Sequence, residues 1–73
     1  MQENVNAINI TSSLIANFGS DNVSVEPNGQ ILLKVKEIGN GDLLSISNML
    51  QWSNVYMKRS DKHILTIFTP RKD

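Results

Sequence analysis

The chain has 73 residues, no cysteine and one histidine, and its seven basic and seven acidic residues cancel to zero formal net charge. That composition excludes disulfide bonds, thiolate–zinc sites and multi-histidine metal sites. Neutrality, with a pI near 6.5, argues against a dedicated polyelectrolyte binder, because counterion release needs a sustained basic surface. A chain this short reads as a single small domain over residues 1–73, near the lower limit for one core. Unstapled domains of this size gain burial by pairing, so a homodimer is expected. Met1-Gln2-Glu3-Asn4 carries no basic leader and no membrane-length apolar run follows, so the expected location is cytoplasmic, with no membrane partner.

Residues 5–18 read as an amphipathic helix. At 100° per residue Ile10, Leu14, Ala7, Phe18, Ile15 and Ile8 share one arc, with Asn6, Asn9, Ser13 and Asn17 opposite. Asparagine and serine supply little helix propensity, so packing must hold this helix. Asn4 is placed to be its N-cap, and Gly19 to end it.

Val23 to Val35 is a β-hairpin with its turn written into it. Pro27 fixes φ for the first turn position, Asn28 tolerates the bridge region and Gly29 takes φ > 0 freely. This suits a three-residue loop that sets Glu26 opposite Gln30, Val25 opposite Ile31 and Val23 opposite Leu33. Val23, Val25, Ile31, Leu33 and Val35 then line one face.

Gly39-Asn40-Gly41 reads as a turn, and Asp42 as the N-cap of a second helix from Leu43 to about Trp52 or Ser53. Its apolar stripe is Leu43, Ile46 and Leu50, with Leu44 and Met49 at the margins and Trp52 almost opposite. Asn54 to Thr69 reads as a second hairpin. An odd-numbered loop of three or five residues is expected; the three-residue loop Ser60-Asp61-Lys62 pairs Met57 with Leu65 and Val55 with Ile67 and collects all four on one face. Pro70 ends the last strand, and residues 70–73 form a loose tail. The fold class is α+β: a two-layer sandwich in the order α-β-β-α-β-β, with a four-stranded, mostly antiparallel sheet and two helices on one face.

On that register the reverse face of the sheet carries Leu32, Lys34, Lys36, Tyr56, Lys58, Ile64, Thr66 and Phe68. Such a mixture is more apolar than solvent exposure alone explains. We rank three uses for it: a dimer interface or cover from a terminal segment, a surface for another protein, and a platform for single-stranded nucleic acid with Tyr56 and Phe68 stacking on bases. Arg59, Lys62, His63, Arg71 and Lys72 make a candidate basic patch, against which stands the reading of a solvated hairpin tip. Trp52 is a candidate interface anchor if exposed, and ordinary core if not.

Signals for catalysis are poor. Ser60-Asp61-Lys62-His63 is a turn, and neighbours in a turn form no triad. No catalytic, cofactor-binding or metal-binding residue is assigned, and no cofactor or metal is expected. The order strand, helix, hairpin from Ile31 to Phe68 is similar to the C-terminal part of the small sulfur-carrier proteins of tRNA thiolation. That family works through a Cys-Pro motif, which a chain without cysteine lacks, so the likeness carries topology and no function. The expected function is that of a small non-enzymatic interaction protein, binding a protein partner or itself. Its size and asparagine-rich composition suit a phage or mobile-element accessory protein or inhibitor. The alternative is a nucleic-acid-binding regulator that uses the sheet face or the basic hairpin.

Overall fold

Asn4 opens the first helix by accepting the Ala7 backbone N–H on its side-chain oxygen at 3.2 Å, and helix α1 then runs Val5–Phe18. Gly19 closes it with φ +88°, its N–H returning to the Ile15 carbonyl at 2.9 Å. The computed structural model describes residues 4–72. A 3-10 turn, Ser20–Asn22, leads into strand β1, Val23–Val25, and the hairpin continues as β2, Ile31–Val35. Helix α2, Asn40–Asn48, a second 3-10 turn, Met49–Gln51, and strands β3, Ser53–Arg59, and β4, Ile64–Pro70, complete the order α-β-β-α-β-β.

The first hairpin has the register its side chains dictate: Val23 opposite Leu33 and Val25 opposite Ile31. Glu26 N–H donates to the Gln30 carbonyl at 2.8 Å, and Gly29, at φ +93°, donates to the Glu26 carbonyl at 2.9 Å. Asn28 locks the turn from its side chain by accepting the Gln30 N–H at 3.0 Å. Gln30 Nε2 donates to Thr69 Oγ1 at 3.2 Å, tying the turn to β4.

All pairings in the sheet are antiparallel, in the order β1-β2-β4-β3. The two hairpins therefore join through β2 and β4, which lie at the centre, and β1 and β3 are the edges. Ile10 and Leu14 of α1 and Ile46 of α2 share one core cluster with Met49, Ile31, Leu33 and Phe68. Both helices thus lie on the same side of the sheet. Burying each of these side chains is worth about 1.5–3 kcal/mol, the main stabilisation available to an unstapled chain. Ile15 and Ile8, together at one end of the α1 arc, stay about half exposed, so the buried stripe is narrower than the apolar one.

Three expectations are corrected. The second hairpin has an even loop. Ser60 N–H donates to the His63 carbonyl at 2.9 Å, leaving only Asp61 and Lys62 between them, and the ladder sets Val55 opposite Phe68 and Met57 opposite Thr66. Every side chain of β4 is therefore turned over relative to the odd-loop register: Ile64, Thr66 and Phe68 face the helices, and Leu65 and Ile67 face away. The physical reason is that β4 is apolar on both alternating faces, as suits a central strand, so its own pattern does not select a side. The larger Phe68 fills the core and pairs with Ile31 of β2. Neither Asp61 nor Lys62 has positive φ, so the turn is not of a primed type. The Ser60 hydroxyl compensates by donating to the His63 carbonyl at 3.0 Å and accepting its N–H at 3.3 Å.

The second correction concerns α2. Gly39 is its N-cap, and Asn40 and Gly41 form its first turn rather than a loop. Asp42 sits inside that turn and accepts the Gly39 N–H at 3.0 Å, one half of a capping box, with its charge at the favourable end of the helix dipole. The helix buries Ile46 and then Met49, while Leu43, Leu44 and Leu50 remain 45%, 69% and 51% exposed. The change to three residues per turn at Met49–Gln51 places Met49 and Trp52 on a common face. That resolves the odd placement of Trp52: its side is the inward one. Third, Arg71 is no loose tail. Its N–H donates to the Trp52 carbonyl at 2.8 Å, and its carbonyl accepts Asn6 Nδ2 at 2.8 Å.

Candidate functional site

The uncovered side of the sheet is built by three strands in register. Leu32 of β2 stands opposite Ile67 of β4, which stands opposite Tyr56 of β3. One step along, Lys34 stands opposite Leu65, which stands opposite Lys58. Since both helices lie on the other side, no helix of the described residues covers these rows. The central-strand residues Leu32, Leu65 and Ile67 are half-buried between neighbours, and Tyr56 is 59% exposed. The result is an apolar band across the sheet with a lysine at each side of its second row.

Of the sequence-derived surface Leu32, Lys34, Lys36, Tyr56, Lys58, Ile64 and Phe68, four residues share this face: Leu32, Lys34, Tyr56 and Lys58. Ile64 and Phe68 are buried, at 4% and 0% exposure, and belong to the core. Lys36 lies in the bend after β2 and is exposed there. Leu65 and Ile67 replace the lost pair; the register alone hides them from sequence reasoning, and the signal that finds them is the Asp61-Lys62 loop. Trp52 is half-buried and packs against the core, so it is no exposed anchor.

The basic patch divides between two poles. Arg59 and His63, with Lys58, Ser60 and Leu65, line a hollow of about 280 Å³ at the β3–β4 tip, where Lys62 is exposed. Arg71 and Lys72 lie at the opposite end of β4, and Lys72 lines a separate hollow with Asn4, Gln30 and Thr69. A third concavity, about 260 Å³, runs between α1 and the β1 edge and is lined by Ala7, Ile8, Thr11, Ser12, Val25 and Ile31. Among the described residues no group of three or more His, Asp or Glu is arranged to hold a metal ion, and no helix is long and apolar enough to cross a membrane.

No family model, no curated protein and no solved structure matches the chain.

Proposed function

We propose that this protein is a non-enzymatic interaction module, a small regulator that binds a protein partner or a second copy of itself through the uncovered sheet face. The observation supporting this reading is the row Leu32–Ile67–Tyr56, an apolar band spanning three strands on the side away from both helices. An aromatic at its edge and lysines beside it match the make-up of an interface core with a polar rim. The test is to substitute Leu32→Ser, Ile67→Ser and Tyr56→Ala one at a time. Circular dichroism verifies the fold, and association is measured by light scattering and by capture on the tagged chain. Loss of capture on the tagged chain in folded variants is the expected outcome. Association at wild-type strength in all three overturns the proposal.

A second reading, single-stranded nucleic acid, draws on Tyr56 standing on the same face as Lys34 and Lys58. It is weakened by Phe68, the other stacking platform, which is wholly buried. Salt-sensitive binding of oligonucleotides favours it, and no binding at low salt removes it.

A further inference from the structure

We infer that a second copy of this chain joins edge to edge along β3, in one antiparallel register centred on Met57, so that the two uncovered faces become one continuous surface. The inference rests on the reading of the uncovered face as the working surface, because Tyr56 and Lys58 lie in both.

The two edges of the sheet are unlike. β1 has three residues, and Pro27 follows close behind its end. β3 has seven, runs without a bulge from Ser53 to Arg59 and contains no proline. Long flat edges are blunted in monomers, because their free N–H and C=O groups template further pairing. Only one end of β3 is charged, at Lys58 and Arg59.

Which groups are free follows from the ladder. Trp52 bonds to Arg71 and Ser60 bonds to His63, so hydrogen bonds to β4 run through the even-numbered residues of β3. The odd-numbered residues direct their N–H and C=O groups away from β4. Ser53 is wholly buried, its hydroxyl donating to the Met49 carbonyl at 3.0 Å, which leaves Val55, Met57 and Arg59 as the open edge.

A two-fold axis can centre an antiparallel pair on few positions. Centred on Val55, the pair needs the buried Ser53; centred on Tyr56, it bonds only Val55 and Met57 and sets Arg59 against the buried Ser53. Centred on Lys58, it sets Lys58 directly against the partner's Lys58. Centred on Met57, it uses all three open residues: Met57 meets the partner's Met57, and Val55 and Arg59 meet the partner's Arg59 and Val55. On the outer face this register lays Tyr56 opposite the partner's Lys58, twice over, where each ammonium meets an exposed aromatic ring. The chain's zero net charge adds no long-range repulsion between copies. The Leu32–Ile67–Tyr56 band then continues into its mate across a single sheet.

Light scattering on the full chain, at the highest soluble concentration, gives twice the 8.2 kDa of one copy. Met57→Pro removes the outward N–H together with a side chain that packs against the core, and gives a monomer that still folds by circular dichroism. Tyr56→Lys, at an exposed site, brings lysines face to face and also gives a monomer, which guards against a folding defect in the proline variant. With no native cysteine in the way, oxidised mixtures of Tyr56→Cys and Lys58→Cys chains cross-link, and neither variant alone does. A monomeric wild type, a dimer that survives both disrupting variants, or cross-linking of Tyr56→Cys by itself overturns the inference. Leu32 and Ile67 lie off the β3 edge, so a monomer leaves the sheet-face reading to its own test.

Discussion

Thr66→Val tests the register of the central strand directly. Thr66 stands between Leu33 and Met57 in the ladder, is wholly buried, and its hydroxyl has no hydrogen-bond partner among the described residues. A buried polar group left unpaired costs about 1–3 kcal/mol. Valine has nearly the same shape and the same stiff, branched side chain, so the strand backbone is undisturbed. The methyl that replaces the hydroxyl adds apolar burial in the same direction, up to about 0.8 kcal/mol. Stability should therefore rise by about 1–3 kcal/mol, against a total of about 4–11 kcal/mol for a domain of this size. Trp52 is the only tryptophan and packs on the core, so its fluorescence reports urea unfolding. With a slope near 1 kcal/mol per molar urea, the midpoint should move up by about 1–3 M. Were Thr66 on the outer face, as an odd loop requires, the change would stay within about 0.5 kcal/mol. An unmoved or lowered midpoint with unchanged slope refutes the reasoning.

Phe68→Ala should cost about 3–5 kcal/mol and leave the chain barely folded, while Ile67→Ala, on the opposite face, should cost far less; equal urea midpoints for the two would contradict the observed register. Gly41→Ala, inside the first turn of α2 with nothing near its missing side chain, should stabilise by about 0.4–1 kcal/mol. Gly29→Ala, at φ +93°, should destabilise by about 1–2 kcal/mol despite equally open space; thermal unfolding of the pair separates backbone conformation from packing. Replacing Asp61-Lys62 by Asn-Gly supplies the residues a primed two-residue turn favours and should raise the melting temperature, whereas a drop would show that the loop is not two residues long.

Those elements that carry one periodicity and their own punctuation were legible in the sequence. α1 has its Asn4 cap, its Ile10–Leu14 stripe and Gly19, and the first hairpin has Pro27-Asn28-Gly29 and apolar residues on one parity, Leu32 excepted. β4 defeated the same method because Ile64 and Phe68 compete with Leu65 and Ile67 for the inward side, and only the paired strands decide between them. In α2 five apolar residues spread round the helix admit two stripes, and the 3-10 turn after Asn48 selects the one through Met49 and Trp52. The uncovered face was thus foreseen in kind, with Leu32, Lys34, Tyr56 and Lys58 correctly on it. Its apolar centre was misassigned together with β4. That β3 is an edge had no local signal at all, since strand order depends on which hairpin strands meet across the chain.

The Asn6 to Arg71 hydrogen bond has a consequence for how the domain can be joined to others. It clasps the first turn of α1 to the residue just past β4, at the pole away from the β3–β4 tip. Anything spliced ahead of Asn4 and anything spliced after Lys72 must leave from that one pole. The domain can therefore sit within a surface loop of a host protein like a bead on a closed clasp, its two connections side by side. In such a graft the tip at Asp61 and Lys62 points away from the host.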